Sequence, residues 1–296
     1  MTKHSSRRKG GSTTADIILF VILSLYAASM VVLIGWAVIT SFKSQTDFRL
    51  NIVGLPEKWV WNYGIVFKQF KYTVFFEGVG NRYIGVGEML VNTLLYAGGC
   101  AVTQTVTPCI VAYCCARYRY KMSKVIPYVV IIVMTLPIVG SLPSEIRMAK
   151  IFGLYDQIWG LWIMKCNFLG VYFLVFLGSF KSIPKSLGES AKIDGAGDMT
   201  IMVRVIIPTV MPTVCTILLL NFIGFWNDYT VPLVYLPHHP TISQGLQYMI
   251  TTNVQDLATV PMRMTASMIV LLPILILFTA FQKRLVGNLT FGAEKG

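Results

Sequence analysis

The sequence predicts an all-α polytopic membrane protein with about six transmembrane helices. Apolar residues make up 55% of the 296 residues and charged residues only 13%, and the mean hydropathy is +0.64, outside the range of soluble domains. The apolar residues form runs close to the length that crosses hydrocarbon. The net charge of +12 follows the loops between these runs, so it indicates membrane orientation and not nucleic-acid binding.

Six apolar runs are the predicted spans. The first, residues 17–40, follows a basic N-terminal tail, 1–16, and is too long for a signal-peptide core. Between residues 41 and 87 nothing is apolar for long enough to cross the membrane. The remaining spans are expected at 89–114, 125–142, 159–180, 201–226 and 264–281. They complete a transmembrane domain, 17–286, which a C-terminal tail follows at 287–296.

Lys165 interrupts the fourth run. A functional charge inside the membrane is one interpretation, but a long side chain that extends to the interface is the commoner case and is preferred here. If Lys165 is kept out of the hydrocarbon, the crossing begins near Phe168.

The basic residues predict the orientation. Fifteen of the 25 Lys and Arg residues lie in the N-terminal tail, in the loops 117–124 and 181–204, and after the last predicted span. These segments are therefore expected to face the cytoplasm. The long segment after the first span holds six more Lys and Arg residues. Because this segment is long and also carries acidic residues, it counts less in assigning the orientation. Both termini are expected in the cytoplasm of a multi-pass protein of the cell membrane.

One polar stretch between the fourth and fifth spans has a distinct pattern. Pro184 suits the first turn of a helix, and Leu187 and Ala191 share one helical face. Gly195 can take the left-handed conformation that ends a helix. The stretch therefore predicts a short amphipathic helix, a hinge and then a span. A helix that only lies on the bilayer surface is the alternative.

This pattern resembles the EAA loop of permease subunits in binding-protein-dependent ABC importers. The Glu-Ala-Ala positions hold Glu189, Ser190 and Ala191, with Ser replacing the first Ala. Gly195 and the Ile-x-x-Pro element, here Val205-Ile206-Ile207-Pro208, follow at the family spacing. The resemblance implies the ABC type I importer fold with a cytoplasmic coupling helix. It assigns ATPase coupling to Glu189, Ser190, Ala191, Asp194, Gly195, Ile206 and Pro208.

Further elements resemble the carbohydrate-uptake, maltose-type branch of that family. They are Asn62-Tyr63, Asn92-Thr93-Leu94, Pro137, Pro143, Phe180 to Pro184, and Trp226-Asn227-Asp228 with Pro232. The ending GNLTFGAEKG is similar to the tail of the second, shorter permease, which reaches into the ATPase dimer. Phe291 and Glu294 depart from the small and apolar residues usual there.

The resemblance implies a sugar or oligosaccharide permease that is not itself an enzyme. No GxxxxGK[ST] loop is present, so ATP and Mg are expected to be used by a partner ABC ATPase dimer. A second homologous permease and an extracytoplasmic solute-binding protein complete the implied partners. No catalytic or metal-binding pattern is found. Candidates for lining the solute path are Gln104, Asn221, Trp226 and Asn227, although Trp226 equally suits an interfacial anchor.

Two rival functions stay open from the sequence. Another ABC solute, such as a polyamine or a metal chelate, would keep the coupling loop and change the path. A secondary transporter would show internal repeats or paired broken helices, and no convincing repeat is found. His238-His239, in a turn between two prolines, is expected to be a polar loop in preference to a pH sensor or metal site.

Overall fold

Long helices form most of the structure. The structure is a computed structural model, and it describes residues 14–293 except 77–79, 119, 137–139, 253–256 and 258. The predicted N-terminal tail up to residue 13 and the last three residues of the predicted C-terminal tail lie outside the described residues. The helices are α1 (Thr14–Ser41), α2 (Gln45–Leu50), α3 (Asn62–Gln69), α4 (Val86–Arg117), α5 (Lys121–Thr135), α6 (Leu142–Ile151), α7 (Ile158–Met164), α8 (Val171–Ser182), α9 (Lys185–Ile193), α10 (Asp198–Thr200), α11 (Ile207–Asn227), α12 (Thr230–Tyr235), α13 (Ile242–Thr251) and α14 (Val260–Ala293).

Four of these helical stretches are long and apolar enough to cross a membrane. They are Asp16–Ser41, Val86–Arg117, Asp198–Asn227 and Val260–Phe281. The second of them, α4, lies at the centre, where it packs against α11, α8 and α7, while α1 packs against α14. Because α1 is almost wholly exposed along its apolar length, its side chains are suited to contact lipid.

Two predicted spans are not single helices of membrane length in the described residues. The run 125–142 is helical only to Thr135, and Leu136 is extended (φ −83°, ψ 118°) because it precedes a proline. The run 159–180 is divided into α7 and α8 by a helix break, the non-helical residues 165–170. The interruption expected at Lys165 is thus present in the structure, and where the fourth span crosses the membrane stays a prediction.

The segment 41–87 folds as two short helices and a hairpin that the sequence analysis did not predict. Strand β1 (Lys71–Phe76) pairs antiparallel with β2 (Gly80–Gly85) in a register that places Val74 opposite Arg82. Val74 and Ile84 are buried in the same apolar cluster as Met89 and Met249. The hairpin is thus part of the core at one end of the bundle, opposite α9.

Lys43 lies wholly buried where α1 meets this segment. Its Nζ donates to the carbonyl oxygens of Asn51 at 2.6 Å and Ile52 at 3.4 Å, and its own carbonyl accepts from Asn62 Nδ2 at 2.8 Å. A buried ammonium requires such hydrogen bonds to offset the loss of hydration. Lys43 therefore fixes the chain between α2 and α3 onto the end of α1.

A histidine joins three separate segments at the same end of the bundle. His238 Nδ1 contacts the Asp156 carboxylate, while Nε2 lies 3.1 Å from the carbonyl oxygen of Phe75. Both ring nitrogens therefore face acceptors, an arrangement that only the imidazolium satisfies with two N–H groups. The hydrogen bond to Asp156 raises the pKa of His238 above its ordinary value, although desolvation acts in the opposite direction.

We expect this contact to stabilise the protein most at acidic pH. Because the folded-state pKa is raised, the contribution is complete below the unfolded value of about 6.5 and is lost as the pH rises through the higher folded value. The difference in melting temperature between the wild type and His238→Gln, measured in detergent, should shrink with rising pH. The variant His239→Gln, which removes the adjacent imidazole, is the control. A pH-independent difference would contradict the prediction.

Candidate coupling site and solute path

Helix α9 ends in a capping motif built around Gly195. The N–H of Ala196 donates to the carbonyl oxygen of Ala191 at 3.0 Å, and that of Gly195 donates to Lys192 at 3.1 Å. These are the two hydrogen bonds of a Schellman motif, which requires a left-handed residue after the helix. Gly195 has φ 84°, so its predicted left-handed conformation is confirmed. Asp194, the C-cap residue, donates its N–H to the carbonyl oxygen of Ser190 at 3.0 Å.

The two faces of α9 differ in what they contact. Ala191, and Ala196 just after the helix, pack against an apolar cluster that contains Phe180 and Ile206. Arg117 Nη1 donates to the carbonyl oxygen of Pro184 at 3.5 Å and so holds the start of α9 near the end of α4. No residue of α9 is buried, and the helix thus rests on the bundle through its inner face alone.

The outer surface of this loop carries exposed apolar side chains as well as charged ones. Ile193 is 87% exposed and Met199 is 70% exposed, although both lie in a polar stretch of the sequence. Glu189 and Ser190 are also exposed, and Lys192 lies 3.9 Å from the Asp198 carboxylate. Exposed apolar groups rimmed by polar ones are typical of a surface that binds another protein.

The Ile-x-x-Pro element forms a wide helical turn between α10 and α11. Residues Ile201–Ile206 are π-helical, and the N–H of Ile207 donates to Met202. Pro208 follows at once, and its ring would clash with the carbonyl group four residues earlier in a regular α-helix. The wider turn relieves this clash, since a π-helix displaces that carbonyl group. The Ile-x-x-Pro element and the span that follows it are therefore one continuous helical body from residue 198 to 227.

The structure brings the predicted coupling residues together in part. Five of them lie on α9 or directly after it, Ile206 is buried in the cluster that Ala191 contacts, and Pro208 is exposed at the start of α11. Their role in coupling stays a prediction. Sequence reasoning did not single out Ile193 and Met199, although apolar residues in a loop otherwise polar were the available signal.

The four predicted path residues are more dispersed. Asn221 is buried and donates from Nδ2 to Thr105 Oγ1 at 3.0 Å, and the fully buried Trp226 donates from Nε1 to the carbonyl oxygen of Val270 at 3.0 Å. Asn227 is exposed and donates back into its own helix. Gln104 is half-buried and lines a cavity. Their path role stays a prediction.

The cavity at Gln104 is formed against the helix break. It has a volume of about 40 Å³ and is lined by Gln104 and Pro108 of α4 and by residues of the break and the start of α8, including Asn167. Lys165, the first residue of the break, places its Nζ 5.8 Å from the centre of the Phe225 ring on α11. Sequence reasoning had noticed Lys165 but not Asn167.

The chain is similar to permease proteins over most of its length. It is 24% identical to the diacetylchitobiose uptake system permease protein NgcG of Streptomyces coelicolor over 92% of this chain and 86% of the relative. It is 27% identical to the melibiose/raffinose/stachyose import permease protein MelC of Bacillus subtilis over 87% and 88%. The maltodextrin transport system permease protein MdxG of the same organism is 29% identical, over 69% of this chain and 74% of the relative.

A solved structure has the same fold. The chain superposes on one chain of a bacterial ABC transporter involved in the import of the acidic polysaccharide alginate, with a TM-score of 0.75, 23% identity, and coverage of 93% and 99%. The family model described as binding-protein-dependent transport system inner membrane component matches residues 105–290, more than half of the chain. This protein therefore belongs to that family and is a multi-pass membrane permease.

Proposed function

We propose that this protein is the permease subunit of an ABC importer for a sugar or oligosaccharide, and that α9 couples it to a separate ATPase. The observation that carries the coupling proposal is the two-sided environment of α9. Its inner face is held by the bundle, while Ile193 and Met199 expose apolar surface that needs a partner. The relatives NgcG, MelC and MdxG are named for the uptake, import and transport of saccharides, respectively, and these names support the sugar class.

The proposed mechanism is mechanical. A partner ATPase dimer binds ATP and Mg and closes against the outer surface of α9. Because the stretch 198–227 is one helical body, a displacement of α9 is transmitted through the cluster around Ile206 to the middle of the membrane. The spans then move as rigid bodies between inward and outward access.

Three further features of the assembly are proposed. A second homologous permease completes the solute path, and an extracytoplasmic binding protein delivers the solute to the opposite face. The predicted C-terminal tail, 287–296, enters the ATPase dimer; α14 extends to Ala293, which makes a helical approach to that dimer feasible.

Reconstitution tests this function. The chain should copurify with an ATPase and a second permease encoded beside it, and the complex in lipid should hydrolyse ATP faster when the neighbouring solute-binding protein is supplied with its saccharide. Maltotriose, raffinose and diacetylchitobiose form a first panel, with spermidine as the polyamine comparison. A purified chain that transports solute alone, without an ATPase, would overturn the proposal.

The proposed orientation gives a labelling prediction. Cysteines placed at Ser186, on exposed α9, and at exposed Lys58, between α2 and α3, lie on opposite sides of the proposed membrane. In a background without native cysteines, an impermeant thiol reagent added to intact cells should label Lys58→Cys and leave Ser186→Cys unlabelled. After permeabilisation, both should react, which controls for local exposure. Labelling of Ser186→Cys in intact cells would place α9 outside.

A further inference from the structure

The helix break lies beside the middle of a membrane-length helix. Trp162 Nε1, just before the break, donates to the carbonyl oxygen of Leu95 at 3.0 Å, and residues of the break share a cavity with Gln104 and Pro108. These α4 residues are all at least nine positions inside its ends, Val86 and Arg117. The break is therefore at the depth of the hydrocarbon when α4 spans the bilayer.

Several backbone carbonyl groups of the break have no hydrogen-bond partner among the residues that the structure describes. In the described part of the chain, the carbonyl oxygens of Cys166, Asn167 and Leu169 accept no hydrogen bond, and Cys166 and Asn167 are exposed. Each unsatisfied group is strongly unfavourable in contact with lipid. Non-helical backbone at this depth is stable only against protein or a water-filled cavity.

The sequence itself maintains the break. Asn167 Oδ1 accepts from the N–H of Leu169 at 2.8 Å, a local bond that competes with helix formation. Gly170 then has an extended backbone (φ −172°, ψ 177°) before α8 begins. Asn167 also lines the cavity, to which Gln104 contributes a second side-chain amide.

Charge near the break is balanced. The Lys165 ammonium lies over the ring of Phe225, which packs edge to face with the ring of Tyr96 at 5.7 Å between centroids. Tyr96 in turn donates from its hydroxyl to Asp228 Oδ2 at 3.1 Å. One cation and one carboxylate thus lie on either side of two packed aromatic rings, of which that of Tyr96 is fully buried, so this pair of side chains adds no net charge beside the break.

We propose that the helix break is the segment of this permease that contacts the solute, and that it recognises a neutral, polyhydroxylated molecule. The carbonyl oxygens accept from solute hydroxyl groups, and the amides of Asn167 and Gln104 donate to hydroxyl oxygens. Lys165 and Asp228 discriminate against solutes of net charge. This inference rests on the proposed permease function, and it adds the segment that contacts the solute.

The native Cys166 offers a direct test, because it is the exposed cysteine of the break. Two single-cysteine complexes, one retaining Cys166 and the other Cys215, are assembled with the partner permease and ATPase. Cys215 is half-exposed in a large apolar groove between α4, α11 and α14 and is the control for lipid-facing positions. A glucosyl methanethiosulfonate should modify Cys166 several-fold faster than Cys215. Trimethylammonium and sulfonate reagents of similar reactivity should modify Cys166 more slowly than the glucosyl reagent.

A second variant tests recognition without altering the break. Gln104 makes no hydrogen bond in the described part of the chain, so Gln104→Leu should leave the melting temperature of the complex unchanged while uptake of the transported saccharide falls several-fold. Gln157→Leu, at an exposed position before α7, is the matched control and should transport normally.

The outcomes separate the two proposals. If Cys166 is as unreactive as Cys215, or reacts best with a charged reagent, in a complex that still hydrolyses ATP in response to saccharide, the solute-contact proposal is overturned and the permease function stands. If no ATPase associates with the chain, both proposals fail.

Discussion

Gly195→Val should uncouple ATP hydrolysis from transport while leaving the membrane spans intact. At φ 84°, a residue with a Cβ is disfavoured by about 1–2 kcal/mol, and a β-branched residue more so. No atom lies within 4 Å of the position that the Cβ would take, so the effect is confined to the backbone. The Schellman bonds of Ala196 and Gly195 would be lost, and α9 would meet the ATPase at a different angle.

Gly197→Val is the matched control for this prediction. Gly197 also lies in open space, but its φ of −69° is ordinary for any residue. Solute-stimulated ATP hydrolysis by the complex in lipid should fall steeply in Gly195→Val and little in Gly197→Val. Equal loss in both variants would show that the loop tolerates no side chain at all, and that the left-handed turn is not the determinant.

A charge reversal on the same helix should weaken docking itself. Glu189 is exposed and carries its carboxylate on the surface that α9 presents, where it can bind a basic group of the ATPase. Glu189→Lys should reduce copurification of the ATPase, whereas the neutral Glu189→Gln should reduce it less. Normal stoichiometry and uptake in Glu189→Lys would favour a helix that only lies on the bilayer.

Gly99→Val should have the largest effect on stability. A Cβ at Gly99 would overlap the indole of Trp162 on α7, which also bonds to α4 through Leu95. Overpacking of this kind costs roughly 1–3 kcal/mol, and displacement of the indole loses a hydrogen bond worth about 1 kcal/mol more. The melting temperature of the purified chain in detergent should fall by several degrees.

The preceding residue provides the control for this substitution. Gly98 lies on the same helix with nothing within 4 Å of the corresponding Cβ, so Gly98→Val introduces the same β-branched side chain at a site with space for it. Its melting temperature should stay close to that of the wild type. Equal shifts in both variants would attribute the loss to helix propensity and not to the contact with α7.

The long helices could be predicted because each depends on local composition. Apolar runs of membrane length and the positions of Pro184, Gly195 and Pro208 specify α1, α4, α9, α11 and α14 from nearby residues alone. The left-handed cap was predictable for the same reason, since only the next few residues determine whether a helix must stop.

Other features depend on residues far apart in the sequence. His238 and Asp156 are 82 positions apart, and no local pattern indicates that Phe75 would approach them. The hairpin was missed because its apolar side chains are shared between the core and the surface. The sequence indicated an interruption at Lys165, but not the full helix break. The hydropathy of a run predicts whether it enters the membrane, whereas the backbone conformations of Asn167 and Gly170 determine where the helix stops.

The π-helical turn at Ile201–Ile206 has a consequence for chain length. One residue more or less in a helix rotates everything beyond it by about 100°. A single-residue deletion here would therefore turn Asn221 away from Thr105 and Trp226 away from Val270. The number of residues in this turn therefore fixes the rotation of the membrane helix relative to the coupling loop, whatever side chains the turn carries.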